Sequence, residues 1–171
     1  MRSLFDIDLK DYDRNGSVFI RPSVRGIIIE NGKIGMIHSL KYDYYKFPGG
    51  GIEKEESHVQ ALVREIQEET GLVVVPDTVK EYGFVHRVQK GDTEDMFVQD
   101  NYYYFCEIGS EVLSQHLDDY EAEERFTLEF IDPMLAIKTN QEEVHGPADP
   151  IMIERETRVL KLLLEEGCLD A

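Results

Sequence analysis

The sequence predicts an α/β fold in which a mixed β-sheet packs between helices. Three observations lead there. Short β-rich runs recur along the chain, two stretches carry apolar residues at helical spacing, and strand and helix signals alternate instead of segregating. With 171 residues the chain is read as one domain, 1–171, long enough for a substantial core. Residues 1–25 are its N-terminal strand-forming segment.

The elements follow in order. Ser17–Ile20 and Gly26–Ile29 are rich in β-formers. Asn31-Gly32 is a hairpin signal, and Lys33–His38 is the returning strand. An aromatic segment, Tyr42, Tyr44, Tyr45 and Phe47, ends at Pro48. Ser57 with Gln60 three residues on reads as a capping box, so a helix starts near His58. Val59, Leu62, Val63 and Ile66 form its core-facing stripe, and Gly71 stops it where a left-handed backbone is needed. Leu72–Val75 is a short strand halted by Pro76. Lys80–Gln89 and Met96–Ile108 are strands joined by the Lys90-Gly91-Asp92 turn. In the second of these, Tyr102 and Tyr104 face one way and Tyr103 and Phe105 the other. Ser110–Glu124 reads as polar loop, Arg125–Ile131 as strand, and Pro133 as the first position of a short helix. Asn140–Pro150 is a loop, and Ile151–Glu166 is a closing amphipathic helix.

Composition narrows the function. Charged residues make up 31% and apolar residues 42% of the chain, as in soluble globular proteins. No apolar run approaches membrane-spanning length, and the polar N-terminus lacks a signal-peptide core, so no membrane partner and a cytoplasmic location are expected. The two cysteines, Cys106 and Cys168, have no metal-type spacing. The formal net charge of −17 repels a phosphate backbone, which argues against nucleic-acid polymers. It repels a small phosphorylated molecule too, unless divalent cations invert the local charge.

The stretch Gly50–Leu72, GGIEKEESHVQALVREIQEETGL, carries the chemistry. Glu65, Glu68 and Glu69 fall on one helix face, where each like-charge pair costs about 0.2–0.5 kcal/mol. A hard divalent cation with a preference for oxygen ligands offsets that cost. Gly49, Gly50 and Gly51 let the backbone approach a ligand closely.

The same stretch resembles the signature of the Nudix hydrolases, MutT-like enzymes. Gly50, Glu56, Arg64, Glu65, Ile66, Glu68, Glu69, Gly71 and Leu72 fill its defined positions without departure. The resemblance implies an α/β/α sandwich with a mixed sheet. It implies Mg²⁺-dependent hydrolysis of a nucleoside diphosphate linked to another group, with Mn²⁺ as a substitute ion. A nucleoside triphosphate and a nucleotide sugar both suit it as the small-molecule partner. Glu65 and Glu69 are expected as principal metal ligands, Glu68 as a ligand or metal-water contact and Glu56 as a weaker one. Arg64, Glu65 and Glu68 form the catalytic set, with Arg64 orienting a glutamate. The general base is either a glutamate of the signature or one outside it, Glu121 or Glu123, with Glu124 beside them. Gly49 and Gly50 are expected against the substrate, and Tyr45 and Phe47 as stacking surfaces for it. Arg21 and Arg25 either contact phosphate or close ion pairs. His58 is expected as an exposed first-turn residue. A homodimer through the segment before Gly26 is a fold-level analogy. Two other readings remain open: a ligand sensor without turnover on the same fold, and isoprenoid diphosphate isomerisation with Cys106 as its cysteine.

Overall fold

The computed structural model describes residues 1–142 and 144–169. Glu143, within the expected 140–150 loop, and residues 170–171 lie outside the described residues. The strands are β1 Ser3–Asp8, β2 Val18–Ile20, β3 Ser23–Ile27, β4 Ile29–Glu30, β5 Lys33–Ser39, β6 Tyr44–Lys46, β7 Gly49–Gly51, β8 Leu72–Val74, β9 Lys80–Gln89, β10 Met96–Phe105, β11 Ile108–Val112 and β12 Phe126–Ile131. The helices are α1 His58–Thr70, α2 Asp119–Glu123, α3 Pro133–Asn140 and α4 Pro150–Glu165.

The main sheet runs β1-β9-β10-β3-β7, with β2 also on β10. It is mixed: β1 lies parallel to β9 and β3 parallel to β10, whereas β9 with β10 and β3 with β7 are antiparallel. A second sheet, β12-β5-β4 with β6 on β5, is antiparallel. Its β4–β5 hairpin turns at Asn31 and Gly32, both at positive φ (52° and 74°), as the primed turn of a two-residue hairpin requires. A small third sheet pairs β11 with β8.

Side-chain alternation along β3 and β10 splits the core into two layers. Val24, Ile28 and Tyr104 pack with Ala61, Leu62 and Ile66 of α1. Ile27 and Tyr103 pack with Val159, Leu160 and Leu163 of α4, and with Phe47, Ile34 and Met36. A Cβ on Gly26 would lie 2.5 Å from Ile66 Cδ1, so glycine there lets α1 settle onto β3. The result is a mixed α/β structure with helices on either side of the main sheet. Among the described residues no helix is long and apolar enough to cross a membrane.

β1 falls within the N-terminal strand-forming segment, ahead of the Ser17–Ile20 run; Phe5 and Ile7 alternate with Asp6 and Asp8, and only Ile7 is fully buried. One stretch departs from expectation. The stretch 110–124 is more ordered than a loop. It holds the end of β11, largely exposed, and the five-residue α2, where Glu121 Oε1 accepts the Asp118 N–H at 2.8 Å.

Candidate active site

The capping box that opens α1 is closed on both sides. Ser57 Oγ accepts the Gln60 N–H at 3.1 Å, and Gln60 Oε1 accepts the Ser57 N–H at 2.9 Å. Gly71 ends the helix at φ 78°, where a Cβ would stand 2.2 Å from Leu113 O. The loop after β11 is tied to the end of α1. Leu113 N–H donates to Gly71 O at 2.7 Å, His116 N–H to Glu68 O at 2.7 Å, and the Gln115 amide to Glu69 O at 2.6 Å.

Arg64 organises the carboxylates. Its Nε and Nη2 hold both oxygens of Glu56, at 2.7 and 2.9 Å, while Nη1 reaches Glu65 at 2.9 Å and Glu68 at 3.4 Å. Nη2 also donates to Gly51 O at 3.1 Å, which joins the helix to β7. The Arg64 guanidinium on its carboxylate holds Glu56 below the usual carboxylate range. Glu65 goes the other way: burial pushes it up despite Arg64, and the charges of Glu69 and Glu68 add to the rise. Gly50 is needed here because a Cβ would lie 2.5 Å from the Glu65 carboxylate carbon.

Glu69 is 1% exposed. Its Oε1 accepts the Gly49 N–H at 2.6 Å, and Gly49 adopts φ 148°, where a side chain would strike Val24 O. Its Oε2 lies 3.4 Å from Lys46 Nζ and makes no hydrogen bond. Glu65, Glu68 and Glu69 are oxygen donors of the kind hard cations select, and the unbonded buried Oε2 suits that use. Among the described residues no three His, Cys, Asp or Glu groups already converge on a metal-sized point; Arg64 Nη1 lies between Glu65 and Glu68. With both oxygens on Arg64, Glu56 is placed as an anchor for that arginine.

The structure corrects several expectations. Tyr45 and Phe47 are core residues, 6% and 0% exposed, so neither ring offers a stacking surface. Tyr45 lies flat on His38, with ring centres 4.2 Å apart, and Phe47 meets Tyr103 edge-on. A buried carboxylate on α4 holds their segment: Glu156 accepts the Phe47 N–H at 3.2 Å and the Tyr103 hydroxyl at 2.6 Å. Glu123 is exposed and paired with Lys41 at 2.7 Å, and Glu124 accepts the hydroxyls of Ser39 and Tyr44, which removes both from the site. Glu121 is the one that turns inward. Burial pushes its carboxyl up to about 7, and the nearby charge of Glu69 reinforces this. His58 is half-buried, with Nδ1 2.6 Å from the Tyr104 hydroxyl. Cys106 is buried, and burial alone pushes its thiol up to about 12, the opposite of what a catalytic cysteine needs.

Beside Glu69 and the glycine strand opens a cavity of about 510 Å³. Lys46 and Arg25 line it on the carboxylate side, and Arg25 Nη1 donates to Gly49 O at 3.2 Å. Phe97, Phe126 and Tyr120 supply aromatic wall, in place of Tyr45 and Phe47. Lys46, Arg87 and Arg155, also in this lining, had no signal of their own apart from a lysine inside the aromatic run Tyr44-Tyr45-Lys46-Phe47.

Known proteins resemble the chain in sequence and in fold. A family profile described as the NUDIX domain matches residues 20–150. Over 65 residues the chain is 38% identical to an RNA pyrophosphohydrolase of Stenotrophomonas maltophilia strain K279a, covering 37% of this chain and 30% of that protein. Over 54 residues it is 46% identical to the RNA pyrophosphohydrolase of Hahella chejuensis, covering 30% and 33% respectively. The chain thus matches about a third of the length of these relatives. Among solved structures, one from a study of MutT of Aliivibrio salmonicida and Vibrio cholerae superimposes with a TM-score of 0.55 at 18% identity, over 86% of this chain and 99% of that one. A MutT NUDIX hydrolase from Burkholderia pseudomallei gives a TM-score of 0.50 at 18% identity, over 80% and 97%.

Proposed function

Because the chain belongs to the NUDIX domain family, we propose that it hydrolyses a pyrophosphate bond in a nucleoside diphosphate linked to a further group, with Mg²⁺ or Mn²⁺ bound. A nucleoside triphosphate and a nucleotide sugar are the substrate classes that fit. The observation that carries this reading is the carboxylate face of α1, where Arg64 gathers Glu56, Glu65 and Glu68 while Glu69 is held against Gly49. The relatives named RNA pyrophosphohydrolase support cleavage at a pyrophosphate. A net charge of −17 weighs against a long polymer in this chain.

Glu65, Glu68 and Glu69 would hold a divalent ion, which when bound would supply charge neutralisation on the phosphates and a more acidic water. The protein's own groups do the rest. Arg64 fixes the Glu65 carboxylate and bridges to Gly51, so helix and glycine strand keep one spacing. Lys46 stands between Glu69 and the cavity, placed to meet phosphate charge. Glu121, the buried carboxylate of the acidic run and near enough to feel the charges of Glu69 and Lys46, is our assignment for the proton acceptor. On this reading the enzyme works in the cytoplasm on a small molecule, and sedimentation decides whether the segment before Gly26 makes a homodimer.

The test is product release over a panel of nucleoside triphosphates, nucleotide sugars and a 5′-triphosphorylated oligoribonucleotide, with and without Mg²⁺ or Mn²⁺. Turnover of one class, abolished by chelator and by Glu69→Gln, is expected. Full turnover in both Glu65→Gln and Glu69→Gln overturns the assignment of the site.

A further inference from the structure

The cavity beside Glu69 is far more basic than the chain that builds it. Arg21, Arg25, Lys46, Arg87, Lys90 and Arg155 all line it, six of the 18 Lys and Arg residues in a protein of net charge −17. Only two acidic residues, Asp92 and Asp149, join them. A pocket for a sugar or a nucleobase alone is predominantly apolar, with a few placed polar groups. Concentrating cations against their mutual repulsion calls for an anion.

The buried members make the point sharper. Arg25 is 8% exposed, yet among the described residues no carboxylate pairs with it. Its guanidinium meets only neutral acceptors, Asn101 Oδ1 at 3.4 Å and Gly49 O at 3.2 Å. Arg155 is 1% exposed; Nε donates to the Tyr103 hydroxyl and Nη1 to Gln99 Oε1, but Nη2 makes no hydrogen bond and lies 3.4 Å from Glu156 Oε1. A buried guanidinium without full compensation is costly, and the oxygens of a phosphate or carboxylate, which its planar fork meets with two N–H groups, satisfy it best. Arg21 and Lys90, exposed at the cavity wall, also have no carboxylate partner among the described residues.

We propose that this cavity binds a second phosphate group of the substrate, separate from the pyrophosphate that is cleaved. Arg87 is already held by Asp149 and Gln89, so the substrate class is a nucleotide derivative phosphorylated at two places, with the scissile anhydride at the α1 carboxylates and the other phosphate among Arg25, Arg155, Arg21 and Lys90. This rests on the reading of the α1 carboxylates as the cleavage site.

Matched pairs differing by one phosphate test it: ADP-ribose against its 2′-phosphate, and dephospho-coenzyme A against coenzyme A. The phosphorylated member is expected to show at least tenfold higher kcat/KM, mainly through KM. In an Arg21→Gln/Lys90→Gln double variant, whose melting temperature checks its fold, that preference shrinks toward one. Equal kcat/KM within each pair that is turned over overturns the proposal. If no pair is turned over, the hydrolase reading stands or falls on its own panel of nucleoside triphosphates and nucleotide sugars, and calorimetry of inorganic tripolyphosphate in EDTA decides the cavity alone. Binding weakened at least fivefold by the double substitution supports it. No binding, or binding indifferent to the substitution, overturns it.

Discussion

Glu69 Oε1 accepts the backbone N–H of Gly49 at 2.6 Å. One carboxylate thus fixes the glycine strand while its other oxygen faces Lys46. Position 69 therefore ties the glycine strand to Lys46, and in the proposed function it adds a metal ligand.

Glu69→Gln should expose both roles. The amide oxygen can still accept from Gly49, but Lys46, 7% exposed, loses its counter-charge. Breaking such a buried pair costs about 3 kcal/mol. A fall in melting temperature together with at least a hundredfold loss of kcat is expected. Loss of kcat without any loss of stability would show that the Lys46 contact contributes nothing to folding.

Gly50→Ala separates the two. The new Cβ would meet the Glu65 carboxylate at 2.5 Å, and that carboxylate is the end of a flexible side chain. Glu65 swings away at little folding cost. Turnover should drop more than tenfold while thermal unfolding moves by under about 1 kcal/mol. Unchanged turnover would mean that Glu65 does not need its present place.

Phe47→Ala tests the place of this ring in the core. A fully buried ring lost from the core costs about 3–5 kcal/mol. In urea titrations the midpoint should fall by that equivalent. A stable variant with a raised KM would instead return Phe47 to the substrate.

Glu121 predicts a pH effect of definite sign. The folded protein holds this proton more tightly than the unfolded chain, because the carboxyl is pushed from 4.5 to about 7. Its contribution to stability is complete below about pH 4.5 and is lost as pH rises through about 7. Glu121→Gln cannot ionise and keeps the oxygen that accepts from Asp118. Measured in chelator, the melting temperature of the native protein should fall relative to the variant by roughly 5–10 °C between pH 5 and pH 8. A constant difference would place the carboxyl at its ordinary value.

Cys106 should resist iodoacetamide in the native state at pH 8, since its thiol is buried and pushed up to about 12. Cys168, half-buried near the C-terminus, should react first. Mass spectrometry of digests reads the order, and rapid labelling of Cys106 would reopen thiol chemistry for this fold.

Much of the site was legible because its signals are local. Capping, helical spacing and the glycine stop place Glu65, Glu68 and Glu69 without knowledge of any distant contact. The Asn31-Gly32 hairpin and the Tyr102–Phe105 alternation are local in the same way. What the sequence concealed depends on partners far along the chain. Tyr45 and Phe47 look like stacking aromatics until β6 is seen enclosed by the second sheet and α4. Glu121 and Glu123 are two positions apart in one acidic run, yet a single turn of α2 buries the first and exposes the second. The basic cavity draws residues from β3, β6, β9 and α4, and no spacing rule connects them.

Glu156 stands 109 positions after Phe47, whose N–H it accepts. On a ribosome, every glutamate of the α1 face emerges before that acceptor does. The glycine turn of a nascent chain lacks its brace until α4 has been made, so the site is completed by the closing helix and not by the segment that bears its signature.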